Sequence, residues 1–146
     1  MRTAVNLYLD TSSLLKVYLR YEQGREAVES LLSQATAVYI SLVGYAEARA
    51  AMARARRDNR LDSSDYRVIR VAFERDWQNN KSVDVSEELV RLAGELAEKH
   101  FLRSLDAIHL ASGITLKREL REEVTFSAAD GRLMAAASAE GLLVAS

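Results

Sequence analysis

Short apolar runs alternate with longer amphipathic segments along this chain. The apolar runs are rich in strand-favouring residues and predict strands at residues 5–9, 37–40, 82–85, 123–126 and 142–144. Between them, apolar residues recur every three or four positions and predict helices at about residues 13–20, 25–33, 43–57, 65–77, 87–97, 105–115 and 129–139. Strands separated by one or two helices are typical of an α/β fold with a doubly wound, mostly parallel sheet.

The composition is typical of one globular domain and excludes several kinds of functional site. Of the 146 residues, 49% are hydrophobic and 28% are charged, so we expect a single domain over residues 1–146. The absence of cysteine excludes disulfides, zinc–thiolate sites and a cysteine nucleophile. Neither a membrane span of roughly 20 apolar residues nor the apolar core of a signal peptide is present, so we expect a cytoplasmic protein.

The net charge of −1 hides a local concentration of arginine. Eight arginines lie between residues 49 and 75: Arg49, Arg54, Arg56, Arg57, Arg60, Arg67, Arg70 and Arg75. Four acids lie in the same stretch, and Asp76 lies just beyond it. Arginine is well suited to forked contacts with phosphate, but a solvated helix face held by ion pairs would have the same composition. Both interpretations remain open.

Four acidic residues stand where a predicted strand or loop turns into a helix. They are Asp10, Glu47, Asp106 and Asp130. In doubly wound sheets, ligands bind beyond the carboxyl ends of the strands, near the point where the strand order reverses. We therefore expect these four side chains to meet at one edge of the sheet.

Each acid also has a simpler explanation. Asp10 would cap the helix that follows it, although Thr11 and the two serines after it would serve as well. Asp106 would be stabilised by the dipole of its own helix, by about 0.3–1 kcal/mol. Each explanation accounts for one residue without any function.

The other two acids have explanations of the same kind. Glu47 interrupts an apolar helix stripe, and an ion pair with Arg49 or Arg54 would explain it. Asp130 is the last residue of Ser127-Ala128-Ala129-Asp130, which matches a capping box that begins at Ser127.

The four acids taken together are harder to explain as caps. At separations of about 5 Å and an effective dielectric near 20, each pair repels by about 3 kcal/mol, which caps worth about 1 kcal/mol do not offset. Either some acids are protonated or a cation neutralises them. Oxygen ligands without cysteine or paired histidine favour Mg²⁺ or Mn²⁺.

Such a cation would activate water for the hydrolysis of a phosphodiester. We expect Asp10 and Asp106 to be its direct ligands, Glu47 to hold a bound water or a second ion, and Asp130 to complete the other side.

Other kinds of site find less support. The histidines are His100 and His109, and His109 is expected to be a packed or surface residue of its helix rather than a ligand. No nucleophile elbow or glycine-rich phosphate loop is present. Basic side chains near the expected cleft would bind phosphates of a nucleic acid; they are Lys16, Arg103 and Arg132.

Four segments of the chain resemble the PIN-domain nucleases and, among them, the VapC-type toxins of toxin–antitoxin pairs. These segments are residues 8–16, 45–49, 105–111 and 125–133, in the family's order. The resemblance implies a central five-stranded parallel sheet flanked by helices on both faces and an Mg²⁺- or Mn²⁺-dependent endoribonuclease. It also implies a homodimer, and a VapB-type antitoxin partner that lays its C-terminal segment across the active-site groove.

The resemblance supports the same acidic set, with Asp10, Glu47, Asp106 and Asp130 as catalytic and metal-binding residues. Relatives often carry a hydroxyl directly after the first Asp, here Thr11, and another two residues before the last Asp. The second position is Ala128 in this chain, and the hydroxyl of Ser127 lies one residue further back.

Two alternatives to the ribonuclease remain. The first is a non-catalytic protein-interaction module on the same fold, for which the repulsion among four acids would be needless. The second is a structure-directed DNA nuclease, which the chain favours less because it has no obvious insertion for threading a DNA flap.

Overall fold

Five strands and seven helices alternate along residues 3–145, the part of the chain that the computed structural model describes. The order is β1 (Asn6–Leu9), α1 (Thr11–Tyr18), α2 (Arg25–Gln34), β2 (Ala37–Ser41), α3 (Val43–Arg57), α4 (Ser63–Asn79), β3 (Lys81–Val83), α5 (Glu87–His100), α6 (Ser104–Leu120), β4 (Val124–Ser127), α7 (Gly131–Ala139) and β5 (Leu143–Ala145). Residues 1, 2 and 146 of the expected domain lie outside this range. Among the described helices, none is long and apolar enough to cross a membrane.

The strands form one parallel sheet in the order β3-β2-β1-β4-β5. The central strand β1 is hydrogen-bonded to β2 on one side and to β4 on the other, with Leu9 opposite both Ile40 and Ser127. The chain builds outward from β1 in one direction and then in the other, so the order reverses at β1. The predicted α/β fold with a five-stranded parallel sheet is confirmed.

Helices cover both faces of the sheet, and each face has its own apolar core. Because side chains alternate along a strand, Leu7 and Leu9 face one core, which also contains Ile40 and residues of α1 to α4. Tyr8 faces the other core, where its ring stacks on Phe126 and residues of α5, α6 and α7 complete the packing. All four residues of β1 are buried.

Three helix starts differ from the predictions because an aspartate caps each of them. The fourth helix begins at Ser63 rather than residue 65, and its N-cap is Asp62. The first helix begins at Thr11 rather than residue 13, and its N-cap is Asp10. The last helix begins at Gly131 rather than residue 129, and its N-cap is Asp130. The third strand covers 81–83 rather than 82–85. The new starts of the first and last helices place Asp10 and Asp130 at the junction between a strand and the helix that follows it.

Candidate active site

Asp10 lies directly after the central strand and is almost fully buried. Its carboxylate accepts a hydrogen bond from the backbone N–H of Ser13 at 2.9 Å. The Ser12 hydroxyl donates to the same carboxylate, at 2.7 Å from Oδ1 and 2.9 Å from Oδ2. The local turn therefore fixes Asp10 in one orientation, as the capping explanation predicts.

Two serines of α1 connect Asp10 to the end of β4. The oxygen of Ser12 accepts a hydrogen bond from the backbone N–H of Ala129 at 3.1 Å, so Ser12 bridges the carboxylate of Asp10 and the loop before Asp130. Ser13 Oγ lies 2.9 Å from Ser127 Oγ, and both serines are fully buried. These contacts hold the ends of β1 and β4 in a fixed relation.

Glu47 lies in the second turn of α3 and faces α1 and α6. Its Oε1 accepts from the Thr11 hydroxyl at 2.8 Å and lies 2.7 Å from Nε2 of His109. Helix α3 comes this close because Gly44 has no side chain: a Cβ there would lie 2.8 Å from Cγ2 of Ile40. The glycine thus allows the hydrogen bond between Thr11 and Glu47.

His109 links Glu47 to the core through a second hydrogen bond. The ring is 2% exposed, and its Nδ1 lies 2.7 Å from the hydroxyl of Tyr8, which is fully buried. Because a carboxylate only accepts, Nε2 of His109 donates to Glu47, and in a neutral ring Nδ1 accepts from Tyr8. Burial raises the pKa of Tyr8 far above its usual value, so this hydroxyl keeps its proton.

Asp106 and Asp130 face a common hollow at the same edge of the sheet. Asp106 lies in the first turn of α6, and Asp130 accepts a hydrogen bond from the N–H of Leu133 at 3.0 Å. The hollow has a volume of about 330 Å³ and is lined by Phe101, Leu102, Arg103, Asp106, Asp130 and Arg132. It therefore combines two carboxylates with two guanidinium groups.

The charges of the four acids influence one another. Burial raises the pKa of Asp10 and the charge of Asp106 raises it further, against the lowering effect of Ser13, Ser12 and His109. Burial also raises the pKa of Asp106, as do the charges of Asp130 and Glu47. The pKa of Glu47 is lowered, because the effects of His109 and Thr11 outweigh that of burial. Asp10 and Asp106 thus carry their negative charge at an energetic cost.

The carboxylates do not form a closed metal site. Within residues 3–145, no group of three or more histidine, aspartate or glutamate side chains is placed so that it would hold a metal ion. Asp10 is fixed by its hydrogen bonds, whereas Asp106 is half-exposed and Asp130 is exposed. The donor set is the oxygen-rich one that Mg²⁺ and Mn²⁺ prefer, and the unrelieved repulsion favours a cation.

Two of the simpler explanations for the acids are wrong. Arg49 pairs with Glu74 at 2.9 Å, and the partner of Glu47 is His109 rather than an arginine. Ser127 does not begin a capping box, because it is the last residue of β4 and Asp130 itself is the cap.

The expected phosphate-binding residues separate into two places. Arg103 and Arg132 line the hollow beside Asp106 and Asp130. Lys16 lies in the last turn of α1, with its ammonium group against Gly24 at the start of α2. It is not among the residues that line this hollow.

Three polar residues hold the acids through contacts that were not predicted, although His109 is a packed residue, as one of the two expected alternatives has it. They are Tyr8, Ser12 and His109, which hold Asp10 and Glu47 in place. His109 follows Asp106 by three positions, so the two share one face of α6, and that spacing was the available signal. The contact from Tyr8 to His109 spans 101 positions, and no local pattern reveals it.

Comparison with known proteins shows the family to which this fold belongs. A family model described as PIN domain matches residues 7–133. Ribonuclease VapC45 and Ribonuclease VapC49, from two strains of Mycobacterium tuberculosis, are each 33% identical to this chain over 110 residues, which cover 75% of it and 76% of each relative. The crystal structure of VapBC2 from Rickettsia felis bound to a DNA fragment from their promoter superposes with a TM-score of 0.63 at 14% identity, covering 97% of this chain and 98% of that one. The structural likeness shows the fold, and the family model together with the two relatives shows that this chain belongs to the PIN domain family, among its VapC-type members.

Proposed function

We propose that the protein is an endoribonuclease that hydrolyses RNA phosphodiester bonds and acts as the toxin of a toxin–antitoxin pair. The observation that carries this proposal is the placement of Asp10, Glu47, Asp106 and Asp130, from four separate segments, at one edge of a PIN fold. The effect of Asp106 on the pKa of Asp10, and of Asp130 on that of Asp106, supports a shared site. Two relatives at 33% identity are named ribonucleases.

The proposal includes a divalent cation, Mg²⁺ or Mn²⁺, held by the four acids. Asp10 and Asp106 would be its direct ligands, with Glu47 and Asp130 on either side. Because no three acids converge among the described residues, binding has to draw carboxylates together. Asp106 and Asp130 lie nearer the surface, where a side-chain rotation costs little. When bound, the cation would activate water and offset the charge that develops on the phosphate.

The remaining residues of the site have supporting roles in this proposal. Ser12 and Ser13 fix Asp10, so this carboxylate is oriented before any ligand arrives. Thr11 and His109 both bond Oε1 of Glu47, which leaves Oε2 for the reaction site. Arg103 and Arg132, at the rim of the hollow, would bind the phosphates that flank the bond to be cut. Ser127 would support Asp10 rather than Asp130, because it contacts Ser13 and its carbonyl accepts from the N–H of Asp10.

The direct test is RNA cleavage by the wild type and by Asp106→Asn, with Asp58→Asn as a control at an exposed acid outside the site. We expect Asp106→Asn to lower the cleavage rate at least about a hundredfold, since several kcal/mol of transition-state stabilisation would be lost. Asp58→Asn should cleave like the wild type, and excess chelator should stop cleavage by both. Full activity of Asp106→Asn, or of the wild type in chelator, would contradict the proposal.

One observation favours a second candidate, a non-catalytic interaction module on the same fold: the described acids form no closed metal site. Titration calorimetry with Mn²⁺ separates the two. The ribonuclease proposal requires heat of binding in the wild type that disappears in Asp106→Asn. A wild type that binds no Mn²⁺ at millimolar concentration would favour the module.

The proposed toxin requires partners, and we infer a homodimer and a VapB-type antitoxin. The antitoxin is supported by the VapBC2 structure from Rickettsia felis, which has the same fold. The homodimer rests on the resemblance to the family. A cytoplasmic location follows from an RNA substrate and a partner of this type. Size-exclusion chromatography tests both partners: the chain alone should elute as a dimer, and co-expression with the protein encoded beside it should give a larger complex. Elution as a monomer in both cases would contradict this inference.

A further inference from the structure

The arginines of α3 and α4 fall into two groups. Arg57 and Arg75 each lie within 3.7 Å of the acid that follows them, Asp58 and Asp76. Four others are exposed and form no ion pair with any acid among residues 3–145: Arg54, Arg56, Arg67 and Arg70. Arg54 lines a separate hollow beside Asp58. An ion-paired helix face explains the first group and leaves the second unexplained.

The other three unpaired arginines, Arg56, Arg67 and Arg70, border a hollow between the two helices, which we call the arginine hollow. Its volume is about 350 Å³, and it is lined by Arg49, Arg56, Ser63, Tyr66, Arg67 and Arg70. Each of these side chains can donate a hydrogen bond, and within the described part of the chain no acid lines the hollow. Arg49 alone is neutralised, by Glu74. The hollow therefore presents a concentration of positive charge with hydrogen-bond donors.

Helix geometry orders these donors along a track. Arg49 and Arg56 are seven residues apart, so they share one face of α3 about 10 Å apart along its axis. Arg67 and Arg70 are three residues apart on α4 and face them. Arg56 is also held in place, because its guanidinium lies 5.1 Å above the ring of Tyr66. The track is long enough for more than one phosphate of an extended strand.

Acids near the start of α4 do not neutralise the hollow. Asp62 is the N-cap of α4, and its carboxylate accepts from the N–H of Asp65 at 2.7 Å. Asp65 itself lines a different hollow, together with Arg20 and Arg60. The positive charge of Arg56, Arg67 and Arg70 is therefore available to a ligand.

We propose that the arginine hollow binds the phosphate backbone of the RNA substrate, away from the acids where cleavage takes place. Arginine, serine and tyrosine side chains are the groups that commonly contact phosphate and ribose without distinguishing bases. The track begins at Arg49, which lies about 3 Å along the axis of α3 from Glu47 and about 200° around it. The hollow and the acidic site therefore lie on opposite faces of α3, and one RNA strand would have to pass around this helix to reach both. The choice of RNA as the polyanion rests on the proposed function.

The test is binding of a fluorescently labelled single-stranded RNA, followed by anisotropy in excess chelator so that no cleavage occurs. The test variant is Arg67→Gln/Arg70→Gln, and the control is Arg57→Gln/Arg75→Gln, which removes two arginines from the same helices outside the hollow. We expect the test variant to bind about tenfold more weakly than the control. The slope of log affinity against log salt should fall by about 0.7 for each RNA phosphate that the variant no longer neutralises.

Cleavage kinetics, compared with RNA binding, separate this inference from the proposed function. Cleavage in Mn²⁺ should show a raised KM and an unchanged kcat in Arg67→Gln/Arg70→Gln, because the hollow binds RNA but does not take part in the reaction. If the wild type cleaves no RNA but its RNA binding still depends on Arg67 and Arg70, the proposed function fails and the binding surface stands. Equal RNA binding by the test variant, the control and the wild type overturns the inference, as does a wild type that binds no RNA.

A polyglutamate peptide serves as the second probe. Binding of this peptide that depends on Arg67 and Arg70, together with RNA binding that does not, would assign the hollow to an acidic protein segment and overturn the proposal. Both double variants should unfold at the urea midpoint of the wild type, because the four arginines are exposed.

Discussion

The four acids of the candidate active site form two pairs in contrasting surroundings. Asp10 and Glu47, the inner pair, accept hydrogen bonds from Ser12, Ser13, Thr11 and His109. Asp106 and Asp130, the outer pair, border an open hollow with Arg103 and Arg132, and burial and the charge of Asp130 raise the pKa of Asp106. The protein therefore fixes the inner pair and leaves the outer pair with part of its repulsion unrelieved.

This contrast suggests a division of roles between stability and ligand binding. Buried groups with complete hydrogen bonds contribute to the fold, and removing one partner leaves the other unpaired. Exposed groups that repel each other cost stability until a ligand neutralises them. Substitutions among the residues that hold the inner pair should therefore destabilise the protein, and substitutions in the outer pair should remove its response to a cation.

The largest expected effect is the loss of His109. His109→Leu removes the partner of the Tyr8 hydroxyl and one partner of Glu47 and keeps an apolar side chain of similar size. Leaving the buried hydroxyl of Tyr8 and the half-buried carboxylate of Glu47 each short of a partner should lower the free energy of unfolding by about 2–4 kcal/mol. Urea unfolding followed by circular dichroism measures this decrease.

The other histidine provides the control. His100 shares Glu140 with Lys99 near the surface, so His100→Leu removes one of two partners and should cost about 1 kcal/mol or less. Equal decreases in the free energy of unfolding would show that the hydrogen bonds of His109 stabilise the protein no more than the surface contact of His100.

The next effect concerns the outer pair and the cation. Mn²⁺ at a hundredfold excess over its dissociation constant should stabilise the wild type by about 2.7 kcal/mol. Asp106→Asn and Asp130→Asn should lose most of this gain, whereas Asp58→Asn, at an exposed acid outside the site, should keep it. Thermal unfolding with and without Mn²⁺ gives the comparison. A full gain in both Asp106→Asn and Asp130→Asn would exclude the outer pair from cation binding.

A smaller effect tests the bridge between the two pairs. Ser12→Ala removes the hydroxyl that donates to Asp10 and accepts from Ala129 N–H, and leaves the Ser13 N–H on the carboxylate. We expect the free energy of unfolding to fall by about 1–2 kcal/mol, because the hydrogen bond that is removed is to a charged group. Ser33→Ala, which removes an exposed hydroxyl bonded to the Ser30 carbonyl, should change stability by less than about 0.5 kcal/mol. A similar change in both variants would mean that Ser12 does not support Asp10.

Local patterns predicted the fold because the residues of each strand and helix show the spacing of apolar positions that is typical of that element. The apolar run that ends at Leu9 and the helical spacing after Ser86 both predicted elements that the structure contains. Ser86 does cap α5, as its hydroxyl accepts from the N–H of Leu89 at 3.1 Å. The boundaries near Asp10 and Asp130 shifted, because several adjacent residues can each cap a helix and the sequence does not say which one does.

The candidate site was predicted as a set of residues, but its hydrogen bonds were not. Asp10 was assigned by its position after a strand, and the fold places it at that edge. The partner of Glu47 was predicted among the arginines of its own helix and is instead His109, 62 positions away. Contacts of that range depend on how α3 and α6 pack, which no single segment encodes. The difference between the inner and outer pairs follows from that packing.

The smallest expected effect is the dependence of stability on pH without metal. The raised pKa of Asp106 means that the folded state holds this proton more tightly than the unfolded state does. Between the ordinary aspartate pKa of about 3.9 and the raised value, Asp106 therefore makes the protein more stable as the pH falls. Asp10 contributes in the same direction. The lowered pKa of Glu47 acts in the opposite direction, and its contribution is lost as the pH falls through its folded-state pKa.

Because these effects overlap in the wild type, the difference between the wild type and Asp106→Asn isolates Asp106. At pH 7 the variant no longer carries the charge that Asp130 and Glu47 repel, so it should be more stable than the metal-free wild type. We expect a gain of about 1 kcal/mol or less, because Asp106 is half-exposed and the helix dipole loses a favourable charge worth about 0.3–1 kcal/mol. Urea unfolding across the pH range should show this gain disappearing as the pH falls below the ordinary aspartate pKa, where Asp106 is neutral in both states. A variant that is less stable than the wild type at pH 7 would mean that the helix dipole outweighs the repulsion, and the outer pair would then have no excess charge for a cation to neutralise.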